Sequence, residues 1–162
     1  MFPDSVINFA TTLLDAAREG ALHIATAESC TAGLIAGALT EIAGSSDVLD
    51  RGFIVYSNRA KTELLGVSPE LIHQCGAVSE EVACAMAEGA LKHSAAQLAV
   101  SCTGIAGPSG ATAGKPIGLV HLAAARQGQT TLHEECRFGD IGRANVRMRS
   151  VEEALKLLLQ IV

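Results

Sequence analysis

The most restrictive feature of this sequence is an order: short apolar runs of strand length alternate with stretches whose apolar residues recur at helical spacing. Val6, Phe9, Ala10, Leu13, Leu14 and Ala17 follow Pro3-Asp4, a capping pair, and predict an amphipathic helix that Gly20 ends. Leu22 to Ala27 reads as a buried strand, and Leu34, Ile35, Ala38, Leu39 and Ile42 as a second helix closed by Gly44. Gly52 to Ser57 is rich in β-formers and reads as the second strand. Asn58 to Leu65 predicts a helical turn ending at Gly66, and Pro69 starts a short helix that stops near Gly76. Ser79 before Glu80 and Glu81 starts another helix, with Val82, Met86 and Ala90 on its buried face. Gln97 to Cys102, Ile117 to Ala125 and Gln129 to Phe138 supply three more strands, the last two joined by a turn around Gly128. Val151, Ala154, Leu155, Leu158, Leu159 and Val162 mark a closing helix. Strands separated by helices pair in parallel, because a crossover returns the chain to the same end of the sheet; the tight turn at Gly128 implies one antiparallel member. The expected class is α/β: a three-layer α/β/α sandwich with a mixed five-stranded sheet. At 162 residues, one core and a single domain over 1–162 are expected.

Composition narrows function mainly by exclusion. The net charge is −5, and no Lys/Arg run offers a surface for a phosphate backbone, while one Tyr, four Phe and no Trp leave little for base stacking. Nucleic acid is therefore not an expected partner. The five cysteines are odd in number, irregularly spaced and lack a Cys-x-x-Cys pair, so they read as reduced thiols of a cytosolic protein. The start of the chain has no signal-peptide pattern, and no apolar run approaches the ~18–20 residues that span a bilayer. A cytoplasmic location without membrane contact is the expectation. The histidines His23, His73, His93, His121 and His133 show no paired ligand spacing, so no metal or other cofactor is expected; His23 and His121 fall in predicted strands and read as structural.

Three segments break the pattern of a quiet core. In Ala27-Glu28-Ser29-Cys30-Thr31-Ala32-Gly33 a buried strand becomes a helix, at the strand end where open α/β sheets bind ligands. Amides at the helix start suit an anion or a developing oxyanion, Ser29 and Thr31 offer hydroxyls, and Glu28 could orient one of them. Capping is the commoner role for Ser or Thr there, and spacing alone leaves both readings open. Cys30 is a rival nucleophile, though an unpaired cysteine in an apolar segment is more often a small buried hydrophobe. In the second segment, Tyr56 to Lys61, the only tyrosine precedes a lysine five residues on. A desolvated lysine can serve as base toward a serine hydroxyl, whereas most lysines are simply exposed. The third, Ser101 to Gly110 and on to Pro116, holds four glycines (Gly104, Gly107, Gly110, Gly114) in eleven residues after an apolar strand. Such a loop can bring amides close to a phosphate, yet it is not a Walker loop, since no Gly-Lys-Ser/Thr ends it.

These segments, in this order, resemble the C-terminal domain of the CinA family. Further matching stretches are Ile42 to Ser46, Arg51 to Lys61, Gly66-Val67, Gly76 to Ser79, Lys115 to Gly118, and Phe138-Gly139-Asp140 with Arg143 and Arg147. Stand-alone members of that family are nicotinamide-nucleotide amidases. The resemblance implies an amidohydrolase that converts nicotinamide mononucleotide and water to nicotinate mononucleotide and ammonia, and it implies a homo-oligomer. The apolar stripes of the two terminal helices are the expected interface. Residue chemistry then assigns Ser29 as nucleophile and Lys61 as base, assisted by Tyr56, with amides after Ser29 as oxyanion hole. Either an acyl-enzyme or an activated water satisfies that chemistry. Glu28, Cys30, Thr31, Gly33, Ser101, Thr103, Gly104, Ile105, Gly107, Pro108 and Arg143 are the expected substrate-binding residues. Two departures stand out: Ala32 replaces the family's first glycine after Ser-Cys-Thr, and Ile141-Gly142 separate Gly139-Asp140 from Arg143. A rival reading of another class is a non-catalytic nucleotide-binding or interaction module in competence or DNA-damage responses.

Overall fold

Side chains of the strands alternate between two faces, and each face is covered by its own set of helices. The computed structural model describes residues 1–162. Its elements are α1 (Asp4–Glu19), β1 (Ile24–Glu28), α2 (Leu34–Thr40), a single 3-10 turn (Ser45–Asp47), β2 (Leu49–Ile54), α3 (Asn58–Leu65), α4 (Pro69–Cys75), α5 (Glu80–Lys92), β3 (Leu98–Gly104), β4 (Leu119–Arg126), β5 (Leu132–Arg137) and α6 (Arg143–Leu159). The sheet order is β2-β1-β3-β4-β5, with β1 parallel to both β2 and β3 and antiparallel pairing from β3 to β4 and β4 to β5. β4 alone runs against the others, so the expected mixed five-stranded sheet with one reversed member is what forms.

On one face, Ile24, Leu98, Val100, Cys102, Leu122 and Ala124 pack with residues of α1, α2 and α6. The other face is lined by small residues: Ala25, Ala27 and Ala99 meet Val82 and Met86, and Ala123 and Ala125 meet Ala83 and Ala87 of α5. This is the physical use of the alanine-rich composition, since small side chains let a helix settle close to the sheet. Gly89 lets α5 come equally close to α3, because a Cβ there would clash with the Leu65 carbonyl oxygen.

The structure moves several expected boundaries. β2 starts and ends three residues before the predicted Gly52–Ser57 run, because its pairing with β1 stops at Glu28↔Ile54 and Val55 to Ser57 lead into α3. β1 starts at Ile24, leaving His23 exposed outside the strand. β3 reaches two residues further than expected, to Gly104, and the β4–β5 hairpin is shorter at both outer ends. Asp4 is helical, and Pro3 supplies the N-cap position without a side-chain hydrogen bond. α2 ends at Thr40, short of Ile42, and α6 begins at Arg143, a full eight residues before its apolar stripe. The stripes of α1 (Val6, Ala10, Leu13, Leu14, Ala17) and α6 (Val151, Ala154, Leu155, Leu158) are buried in the core that α1, α2 and α6 share with one face of the sheet. They therefore cannot serve as the expected subunit interface. No helix is long and apolar enough to cross a membrane.

Candidate active site

Because β1, β2 and β3 are parallel, their carboxyl ends share one edge. The chain leaves β1 for β2 on one side, while β3 lies on the other, so a crevice opens beyond the ends of β1 and β3. A cavity of about 340 Å³ sits there, walled by Ser29, Cys30, Tyr56, Asn58, Lys61, Ala77, Val78, the 103–107 segment, Ser109, Gly110 and Arg143.

Ser29 follows β1, and its amide donates to the Cys102 carbonyl at 2.9 Å, which fixes the turn against β3. Lys61 comes from the first turns of α3, whose start is capped by Ser57 accepting from the Ala60 amide at 3.0 Å. The lysine is only 1% exposed and its Nζ meets three oxygens: Ser29 Oγ at 3.0 Å, the Val55 carbonyl at 2.9 Å and the Tyr56 carbonyl at 3.3 Å. Burial pushes its pKa below the ordinary lysine range. In its neutral form such an amine has N–H bonds for the two carbonyls and a lone pair able to take a proton from the Ser29 hydroxyl. The Tyr56 side chain is 62% exposed at the cavity mouth, and its backbone carbonyl, not its phenol, contacts the lysine.

Glu28 does not orient the Ser29 or Thr31 hydroxyl. Its carboxylate is buried and accepts from the Gly33 amide (2.9 Å), the Ile35 amide (3.0 Å), the Ala36 amide (2.9 Å) and Thr26 Oγ1 (3.0 Å). It therefore caps α2, whose own N-cap residue Gly33 offers no side chain. The amides of Cys30, Thr31 and Ala32 are left without an acceptor in the protein. Arg147 on α6 holds the same turn from outside, donating Nε to the Cys30 carbonyl and Nη2 to the Thr31 carbonyl, each at 3.0 Å. Ala32 stands in the left-handed region at φ 51°, followed by Gly33 at 94°, so the turn needs the backbone freedom that glycine supplies.

The expected binding residues divide by position. Cys30, Thr103, Gly104, Ile105, Gly107 and Arg143 line the cavity beside Ser29. Glu28, Thr31, Gly33, Ser101 and Pro108 lie off its wall. Ser101 is fully buried and donates to the Ala83 carbonyl of α5 at 2.6 Å, and Thr103 Oγ1 donates to the Ala77 carbonyl at 2.7 Å. The last residue of β3, Gly104, must lack a side chain, since a Cβ would sit 2.6 Å from Val120 Cγ2. After it, the amides of Ala106, Gly107, Ser109 and Gly110 have no acceptor in the protein. Arg143 spans the two inserted residues and reaches the loop, donating Nη1 to the Gly107 carbonyl at 3.0 Å.

Sequence reasoning missed Asn58, Ala77 and Val78 as wall residues, and it covered Ala106, Ser109 and Gly110 only as part of the glycine loop. Lys115 holds the turn at Ala77 and Val78, its Nζ donating to the carbonyls of Cys75 (2.6 Å) and Val78 (2.7 Å), while Thr103 holds the Ala77 carbonyl; no local pattern reveals these ties between distant segments. No group of three or more His, Cys, Asp or Glu side chains converges as metal ligands would. His121, expected to be a satisfied strand residue, shares a 3.0 Å contact between its Nδ1 and His133 Nε2.

Comparison with known proteins agrees with this fold. The family model of the CinA C-terminal domain matches residues 7–162. A CinA-like protein of Chlorobium phaeobacteroides is 51% identical over 144 residues, covering 87% of this chain and 34% of that protein. A CinA-like protein of Mycolicibacterium vanbaalenii is 52% identical over 135 residues, covering 83% of this chain and 32% of that one. The chain thus spans about a third of the length of these curated relatives. The crystal structure of the competence/damage inducible protein CihA from Agrobacterium tumefaciens superposes with a TM-score of 0.97 at 51% identity, covering 99% of this chain and 97% of that one. A competence-damaged protein (CinA) superfamily structure from Escherichia coli gives 0.92 at 32% identity, covering 100% of this chain and 94% of that one.

Proposed function

The chain belongs to the CinA C-terminal domain family, and from that premise we propose that it is an amidohydrolase that hydrolyses the carboxamide of nicotinamide mononucleotide to nicotinate mononucleotide and ammonia. The observation that carries the reading is the buried Lys61 Nζ 3.0 Å from Ser29 Oγ at the wall of the cavity. Neutral Lys61 takes the Ser29 proton as Oγ attacks the carboxamide carbon. The resulting oxyanion is met by the unpartnered amides that follow Ser29, those of Cys30 and Thr31. Lys61 then passes its proton to the departing nitrogen, ammonia leaves, and water enters to hydrolyse the acyl-serine by the same base. The phosphate lies toward the free amides of Ala106, Gly107, Ser109 and Gly110 and the guanidinium of Arg143, and Tyr56 borders the entrance. Assembly as a homo-oligomer belongs to the same reading. Incubating the pure protein with nicotinamide mononucleotide tests it: ammonia and nicotinate mononucleotide should accumulate with wild-type protein and not with Ser29→Ala. Failure of the wild-type protein to release ammonia sinks the proposal.

A further inference from the structure

Cys30 and Cys102 form a sulfur pair that the hydrolytic reading does not use. Cys30 follows Ser29 and is 5% exposed at the cavity wall, whereas Cys102 on β3 is fully buried, and their Sγ atoms lie 3.5 Å apart. The backbones are already tied, since the Ser29 amide donates to the Cys102 carbonyl at 2.9 Å. Thr31 Oγ1, the one buried side-chain oxygen without a hydrogen-bond partner, belongs to the same turn. We propose that Cys30 and Cys102 are a peroxide-oxidisable pair, Cys30 taking the oxidant from the cavity and Cys102 closing a disulfide behind it.

The chemistry follows from the positions. A hydroperoxide small enough for the cavity meets the Cys30 sulfur first. The sulfur attacks the O–O bond, becomes a sulfenic acid, and the peroxide leaves reduced to water or an alcohol. The Cys102 sulfur then attacks the Cys30 sulfur, the S–O bond breaks, and the Cys102 proton departs with the hydroxyl as water. Closing from 3.5 Å to the ~2.05 Å of a disulfide requires only a small shift in a turn joined to β3 by a hydrogen bond. The two thiols are also unequal. The contact with Cys102 holds the Cys30 thiol below its ordinary range against the opposing pull of burial and Glu28, while the same contact and full burial hold Cys102 well above it. Cys30, the less buried of the two, is thus the better nucleophile, and Cys102 closes the disulfide through its position, 3.5 Å away in the same core. Elsewhere burial, with nearby carboxylates, raises Cys84 to about 11 and Cys136 to about 12, leaving them poor competitors.

Mass spectrometry tests this without any turnover assay, so the result stands whichever amide the protein hydrolyses. Trypsin places Cys30 alone in residues 19–51 and Cys102 alone in 93–126, because Lys115 precedes a proline. After brief treatment of the native protein with hydrogen peroxide, these two peptides should appear joined. Free thiols should fall from five to three and return to five on adding dithiothreitol. In Cys102→Ser the joined species should vanish and dimedone should trap a sulfenic acid at Cys30. Should Cys75 or Cys84 oxidise while Cys30 and Cys102 stay reduced in the wild-type protein, the proposal is wrong. It is equally overturned if Cys30 proceeds to sulfinic acid with no joined peptide.

Discussion

At the scale of single residues, the pair Ser29 and Lys61 carries the strongest predictions. A nucleophile and its base act as one unit, so Ser29→Ala and Lys61→Ala should each lower kcat by roughly 10³-fold or more, and the double variant should be little worse than either. Additive losses in single-turnover measurements would argue for separate roles. The buried lysine also couples stability to pH. Its folded pKa lies below its unfolded one, so between the two values the unfolded chain binds the extra proton. The wild-type protein therefore gains stability as pH rises through that window, while Lys61→Met lacks this gain. Denaturant midpoints measured across alkaline pH should show the variant losing ground to the wild type as pH increases, and parallel curves would remove the burial argument. Ala32 gives a prediction of the opposite kind. An L-residue in the left-handed region costs roughly 1–2 kcal/mol, whereas a glycine adds about 0.4–1 kcal/mol of unfolded-state entropy. Ala32→Gly should thus stabilise the protein by about 0.5–1 kcal/mol, seen as a higher Tm. The residue types of this candidate pair were legible in the sequence. Their distance was not, because 32 positions separate them and only the packing of α3 over the end of β1 brings them together.

At the scale of elements, α2 shows what local pattern cannot reveal. Its period and its glycine stop are plain in the sequence, but its N-terminus has no side-chain cap of its own. The cap comes from Glu28, the last residue of the preceding strand, reaching over the turn to three amides. A carboxylate beside a candidate serine reads in sequence as an orienting group, and only its contacts show that it organises the helix. Glu28→Gln tests this directly. The amide keeps one acceptor oxygen and turns a donor toward donors in a buried site, so about 3 kcal/mol of stability should be lost. Amide exchange at Ile35 and Ala36 should rise with it; a neutral substitution would mean the carboxylate is dispensable. The strands were read more surely than the helix starts, because continuous apolar runs survive errors of two or three residues. β2 slipped for a related reason: Phe53-Ile54-Val55-Tyr56 is β-forming throughout, and the register is set by β1, which ends at Glu28.

At the scale of the whole molecule, the cavity exists only when five distant segments meet. The parallel strands deliver Ser29 and the 103–107 segment to one edge, α3 lays Lys61 across it, the turn at Ala77 closes one side, and α6 begins with Arg143 at another. The fold class was legible from alternation alone, and the general position of the site from the strand-end rule. The wall at Ala77 and Val78, and the way Arg143 spans its insertion, required the three-dimensional path. That geometry gives the cavity wall two chemically different parts. Ser29 and Lys61 form one; the free amides of Ala106, Gly107, Ser109 and Gly110 with Arg143 form the other. If the proposed substrate spans both, its phosphate supplies binding that free nicotinamide lacks. Hydrogen bonds to a charged group contribute about 1.5–3 kcal/mol each, so losing two lowers kcat/KM by roughly 10²- to 10⁴-fold. Nicotinamide should therefore be a poor substrate beside its mononucleotide, and nicotinamide riboside should fall near nicotinamide, since it too lacks the phosphate. Arg143→Ala should narrow the gap by weakening the mononucleotide while leaving the riboside nearly unchanged. Equal kcat/KM for the mononucleotide and the riboside in the wild-type protein would show that the loop and Arg143 do not read a phosphate at all.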